Sequence, residues 1–291
     1  MSAPTPDDVP TTRAHGRQVP MRKRCIAAAL LGFGALSAHV ASAETPVSDG
    51  EAARAKAERL IAAYPEHLDR FDGNMLVWKD GERMPFDDGV SGKTPEALLE
   101  SADIEDQFAY VYPLADEGLA PPPENADPGR IRNNAFFFKM YGDCKKGGLK
   151  GKLATIDWLP RKKGGRMQVT TVNGVHEKLK AVSDELDALP DKFNEFLTPS
   201  AGTYVCRAIA ATQRRSAHAF GFAVDISASR GDYWLWHKSG AKGSIGYRNK
   251  IPVEIVRIFE KHGFIWGGRW YHFDTMHFEY RPELLGAARS P

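Results

Sequence analysis

Apolar positions recur along this chain with two periods. Between residues 50 and 64, Ala52, Ala53, Ala57, Leu60, Ile61 and Ala63 return at helical spacing. The same spacing joins Val175, Leu179, Val182, Leu186 and Leu189, and that helix should stop at Pro190. A third helix is expected over 251–262, with Pro252 in its first turn, Gly263 as its C-cap and Ile255, Val256, Ile258 and Phe259 supplying much of its buried face. Shorter helices are predicted over 94–102, with Thr94 as N-cap and Pro95 at the first position, and over 133–141, where Phe136, Phe137 and Phe138 read as core. Strand-like runs lie between. Residues 74–78 and 82–86 flank Lys79-Asp-Gly81 as a hairpin. Residues 153–159 and 167–172 flank a basic turn at 161–166 that reads as a solvated tip, and Asn173-Gly174 marks the passage into the next helix. Residues 115–130, with Pro121-Pro-Pro123, read as a long surface loop, and 239–246 as a Gly/Ser-rich loop by a cleft mouth. The mixture predicts an α+β fold with a small, mostly antiparallel sheet and helices packed to one side.

Two late stretches depart from simple core patterning. Phe222-Ala-Val-Asp-Ile226 reads as a buried strand, and a carboxylate there is costly unless a cation or hydrogen bonds compensate it. His218 lies seven residues before Asp225, an odd separation that puts the two on opposite faces of a straight strand. They converge only if the chain turns between them, and Gly221 permits that turn. In Met276-His-Phe-Glu-Tyr280, alternation puts His277 and Glu279 on one face. Two imidazoles and one carboxylate make a three-ligand zinc set with the fourth position open, the pattern of a catalytic site. Asp274 lies three residues before His277, placed to act as general base. Arg207, in an apparent β-run over 203–207, is a candidate to hold an oxyanion. Glu279 is expected to hold an imidazole N–H. Ser216 either orients His218 or caps a turn. His272, five residues before His277, falls on the opposite strand face and is read as lining the cleft or supporting the site. Trp266, Trp270, Tyr271 and Tyr280 line a cleft or pack in the core.

Taken together, Ser216-x-His218-x-x-Gly221-x-Ala223-x-Asp225 and Asp274-x-x-His277 resemble the zinc D-alanyl-D-alanine carboxypeptidase and L-alanyl-D-glutamate peptidase family, which shares its fold with the hedgehog signalling domain. The resemblance covers roughly the last third of the chain. It implies zinc on His218, Asp225 and His277, Asp274 as base and Arg207 on the substrate carbonyl. It also implies peptidoglycan stem peptides as substrate, cut as a carboxypeptidase or an endopeptidase, with Asp rather than Glu at 274 leaning toward the latter. A zinc amidase acting on another wall amide, and a non-catalytic wall-binding module, are the competing readings.

Composition adds a compartment. Met21-Arg-Lys-Arg24, the apolar run from Cys25 to Ala38 and Ala41-Ser-Ala43 read as a secretory signal peptide, with Met21 the better start. Residues 1–43 hold five of the 39 Lys and Arg and two of the 37 Asp and Glu, so the remainder is near neutral, with no basic stripe for nucleic acid. The expected organisation is a leader at 1–43, an N-terminal elaboration at 44–130 and a zinc peptidase domain at 131–291. The protein is expected to be an exported monomer, periplasmic or extracellular in a bacterium, with no stable membrane insertion. In an oxidising compartment Cys144 and Cys206 could pair and brace the segment carrying Arg207.

Overall fold

A computed structural model describes residues 49–209, 212, 214–237 and 246–286. The leader and the 239–246 loop fall outside these, apart from Gly246. Helix α1 (Asp49–Ala63) buries Ala57 and Leu60, as its spacing requires, and runs into the buried Tyr64. Strands β1 (Leu68–Asp72), β2 (Met75–Trp78) and β3 (Arg83–Pro85) form an antiparallel meander in that order. The β2–β3 hairpin turns at Gly81, whose φ of 88° is the left-handed geometry glycine accepts without a Cβ penalty. Strand β1 escapes sequence detection because Leu-Asp-Arg-Phe-Asp carries three charged residues and fully buries Leu68 alone.

Helix α2 (Pro95–Glu100) begins at Thr94, whose hydroxyl accepts the Ala97 N–H at 3.2 Å. Helix α3 (Asn134–Tyr141) is capped by the Asn133 side chain, which accepts from Phe136 N at 2.9 Å. Strands β4 (Leu153–Asp157) and β5 (Arg166–Thr170) pair antiparallel, and the next helix begins after Asn173 and Gly174, both with positive φ. The basic turn between β4 and β5 is not all solvated tip. Lys162 buries its stem, Nζ donates to Leu189 O at 2.7 Å, and Asp187 accepts the backbone N–H groups of Arg161 and Lys162. Helix α4 (Val175–Asp187) buries Val175, Leu179, Val182 and Leu186, and a single turn, α5 (Asn194–Leu197), follows.

The site sheet is antiparallel with order β6-β8-β7, where β6 is Ala223–Asp225, β7 is Phe264–Trp266 and β8 is His277–Tyr280. Helix α6 (Val253–Lys261) precedes β7 and covers the sheet, with the Phe259 and Phe278 rings stacked at 3.7 Å. Helix α7 (Pro282–Leu285) packs against α1 and β7. Val47–Pro291 form one compact unit. No helix among the described residues is long and apolar enough to cross a membrane.

Two expectations need correction. Residues 203–207 form no strand. Separate bonds tie them to the 216–218 stretch, from the Val205 N–H to His218 O and from the Ser216 N–H to Arg207 O, and Gly202 just before them bridges Asp225. The 115–130 loop is not all surface, because Asp127, Pro128 and Gly129 are buried. Buried donors claim this stretch: Trp270 Nε1 bonds Pro128 O at 2.7 Å, and Arg281 Nη1 bonds Gly129 O at 2.7 Å.

Cys144 and Cys206 are disulfide-bonded across 62 residues of chain. Closing a loop of that length removes unfolded-state entropy worth about 4 kcal/mol. Cys206→Ser should therefore lower unfolding free energy by about 2–5 kcal/mol. Denaturant curves with and without reductant check this, since reductant should move the wild type onto the variant and leave the variant unmoved.

Candidate metal centre

Local folding brings three donors to one point. Asp225 and His277 are direct cross-strand partners in β6 and β8, where facing side chains stand about 4.5–5.5 Å apart at Cβ. His218 arrives from a 3-10 turn (Ala217–Phe220) that ends on Gly221 with φ 77°. A side chain at 221 would press on Thr170 N at 3.1 Å, so both the turn and its packing favour glycine. Phe220 and Phe222 flank that glycine. They stack on each other at 5.6 Å and lie against Phe137 of α3 at 5.8 and 5.5 Å. The triple-phenylalanine helix thus forms the apolar backing of the turn.

His218 Nε2 lies 3.1 Å from His277 Nδ1 and 3.2 Å from Asp225 Oδ2, and His277 Nδ1 is 2.7 Å from Asp225 Oδ1. The outward nitrogens are also taken. His218 Nδ1 is 2.6 Å from Thr203 O, and His277 Nε2 is 3.0 Å from Glu279 Oε1. A carbonyl can only accept, so His218 carries its proton on Nδ1 and offers a lone pair from Nε2. In the neutral ring, Glu279 fixes the proton of His277 on Nε2 in the same way. Two nitrogen lone pairs then face each other beside a carboxylate, which is repulsive unless a cation lies between them. The donor set fits zinc, and the carbonyl and carboxylate behind the rings are the supports such ligands use.

The electrostatics agree. Burial disfavours charge on His277, but Asp225 and Glu279 outweigh it and push its pKa up to about 10. Burial likewise opposes ionisation of Asp225, yet the two imidazoles hold its pKa far below the usual carboxylate range. Positive charge is favoured at this point. Glu279 is held down to about 2 against the effect of burial, by Arg132, His277 and Arg281. Arg132 Nη1 donates to it at 2.9 Å.

A cavity of about 270 Å³ opens on these donors, and Arg207, Ser216, Asp274 and Glu279 line it with them. Asp274 O accepts the His277 N–H at 3.2 Å, forming a tight turn at the start of β8. Asp274 Oδ1 is shut off from solvent and has no hydrogen-bond partner among the described residues. Burial raises its pKa to about 6. Arg207 is exposed on the cavity wall, and its carbonyl accepts Ser216 N at 3.2 Å. Ser216 stands at the N-cap of the 217–220 turn without a side-chain cap bond. His272 Nδ1 lies 2.6 Å from Asp127 Oδ2. Trp266, Trp270 and Tyr280 are buried, with Trp270 also on the cavity wall.

Sequence reasoning missed Thr203, Asp127 and the arginines 130, 132 and 214. Thr203 acts through its carbonyl and leaves no side-chain signal. Gly129-Arg-Ile-Arg132 did carry one, since it alternates around a buried Ile131. Two acidic groups elsewhere, Asp87/Asp88/Asp103 and Asp103/Glu105/Asp106, also bring oxygens together. Lys93 Nζ meets Asp88, Asp103 and Asp106 at 2.6–3.1 Å, so a side-chain cation already sits among these oxygens.

No curated protein and no solved structure matches the chain at a significant level. One family does match, described as D-alanyl-D-alanine carboxypeptidase, over residues 210–280, about a quarter of the chain. That segment contains all three donors and Asp274. The chain thus carries a D-alanyl-D-alanine carboxypeptidase family domain at residues 210–280.

Proposed function

We propose that the protein is an exported zinc metallopeptidase that hydrolyses peptide bonds in peptidoglycan stem peptides. The observation that carries this reading is the unpartnered carboxyl oxygen of Asp274 in the same cavity as three convergent ligand atoms. A structural metal needs no such group beside it. His218, Asp225 and His277 would hold zinc, which supplies a Lewis acid and lowers the pKa of water at the open position. Asp274 accepts a proton from the water that attacks the carbonyl carbon. As the C–N bond breaks, it returns that proton to the departing amine nitrogen. Arg207 donates N–H bonds to the carbonyl oxygen as negative charge collects there. Thr203 and Glu279 fix the imidazole tautomers throughout. The Cys144–Cys206 bond accords with an oxidising compartment, which supports export.

The test is digestion of purified stem peptides by the full chain, with new termini identified by mass spectrometry. Cleavage should stop with a chelator and return with zinc. Zinc binding at one equivalent with no cleavage of any stem peptide would refute the peptidase reading.

A further inference from the structure

A second cavity of about 290 Å³ adjoins the metal cavity. The two share Arg130, Ile209, Arg214, Tyr233 and His272 as wall residues. Each alone is small beside ligand pockets of about 300–1,000 Å³, whereas joined they fall within that range. The far wall of the second cavity includes Leu98 and Leu99 of α2, Tyr110 and Ile131. All four precede the family-matched segment. The family domain therefore supplies the metal side, while the N-terminal half builds an apolar extension onto it.

The shared wall is basic. Arg214 Nε is shut off from solvent and finds no well-aligned hydrogen bond among the described residues. Its ion-pair partner, Glu100 Oε1 at 3.1 Å, belongs to a side chain more than half exposed and so screened by water. Arg130 reaches Asp127 Oδ2 only at 3.4 Å, and that same oxygen holds His272 Nδ1 at 2.6 Å. Neither guanidinium has the close two-point partner it is shaped for. Burial lowers the Arg214 pKa, and the Arg132 and Arg130 charges lower it further against the pull of Glu100, so a second anion at this wall would relieve the crowding. Glu96 also lines the second cavity but is exposed. The anion belongs at the shared wall, not beyond it.

We propose that the second cavity is a substrate subsite for an acidic peptide that continues past the scissile bond. A carboxylate of that peptide sits on Arg130 and Arg214, and its aliphatic portion lies against Leu98, Leu99 and Ile131. This rests on the peptidase reading of the metal cavity and deepens it. The substrate is an extended anionic peptide, and a bare dipeptide leaves half the site empty. His272, held by Asp127, lines both cavities.

Calorimetric titration of the zinc-loaded full chain tests the subsite. The probes are the tetrapeptide L-Ala-D-Glu-L-Lys-D-Ala and its counterpart with the glutamate carboxyl amidated. A charge-assisted bond lost to the amide should weaken binding about tenfold or more. Arg214→Gln should erase the preference for the acid. Leu98→Trp, a half-buried position that fills the second cavity, should weaken both peptides by a similar factor. Equal affinity for acid and amide in the wild type, or unchanged binding in Leu98→Trp, would overturn the subsite. Cleavage of the same peptides is followed separately. Cleavage without any acid preference removes the subsite and leaves the peptidase. Acid preference without cleavage removes the peptidase and leaves a peptide-binding site.

Discussion

Replacing Asp274 with asparagine should lower kcat on a cleaved stem peptide by about 10²–10⁴-fold, the range a positioned general base contributes, while zinc content stays at one equivalent. The amide has nearly the same shape as the carboxyl, and the backbone turn to His277 N is unaffected. What is lost is the ability to take a proton. Oδ1 has no partner among the described residues, so the substitution breaks none of their hydrogen bonds at that atom. Metal analysis alongside steady-state kinetics checks both halves. A fall in kcat matched by a fall in bound zinc would assign Asp274 to the metal's binding instead. Unchanged kcat with full zinc would remove it as the base. Arg207→Ala serves as a contrast. Arg207 is exposed, so its loss should leave zinc and fold intact and cost activity through the charge on the carbonyl oxygen alone.

The site was more legible in the sequence than its surroundings, for a physical reason. Donors that must converge need a bend and a strand pair, and both leave marks. Gly221 between His218 and Asp225 announced the bend, and Asp225 set in an apolar strand announced partners, which the two imidazoles supply. Alternation in 276–280 placed His277 and Glu279 on one face, and β8 holds them so. Long periodic helices were equally plain, as α1 and α4 show. The losses fall where tertiary contacts override local pattern. Leu68–Asp72 is a strand because Met75–Trp78 pairs with it, not because its own residues favour one. Phe264–Trp266 is three residues long and apolar throughout, too short to show an alternation of its own. The proline-rich loop is drawn inward by Trp270 and Arg281, donors more than 140 residues downstream. Thr203 serves through its backbone, so no side-chain rule finds it.

Glu279→Gln should produce the largest loss of stability, about 3–5 kcal/mol, together with a 10–100-fold fall in zinc affinity. Glu279 sits at the junction of two systems. Toward the metal it accepts from His277 Nε2 at 3.0 Å. Away from it, Arg132 donates to both of its oxygens at 2.9 and 3.3 Å, and Arg281 approaches at 3.8 Å. Arg281 bonds Glu283, which accepts from Tyr64 OH at 2.7 Å, so this buried line runs from the ligand strand to the end of α1. An amide at 279 leaves Arg132 buried without its counter-charge, which is the costly way to break such a pair. The two effects separate in the double variant Glu279→Gln/Arg132→Met. Removing both charges should restore much of the lost stability, since a buried pair replaced by apolar packing is often near neutral. It should not restore zinc affinity, because His277 still lacks the carboxylate charge that makes its ring a stronger ligand. Denaturant unfolding of the zinc-free proteins and competition titration with a zinc chelator give the two numbers independently. Zinc affinity recovering in step with stability would show that Glu279 acts on the metal only by holding the fold together.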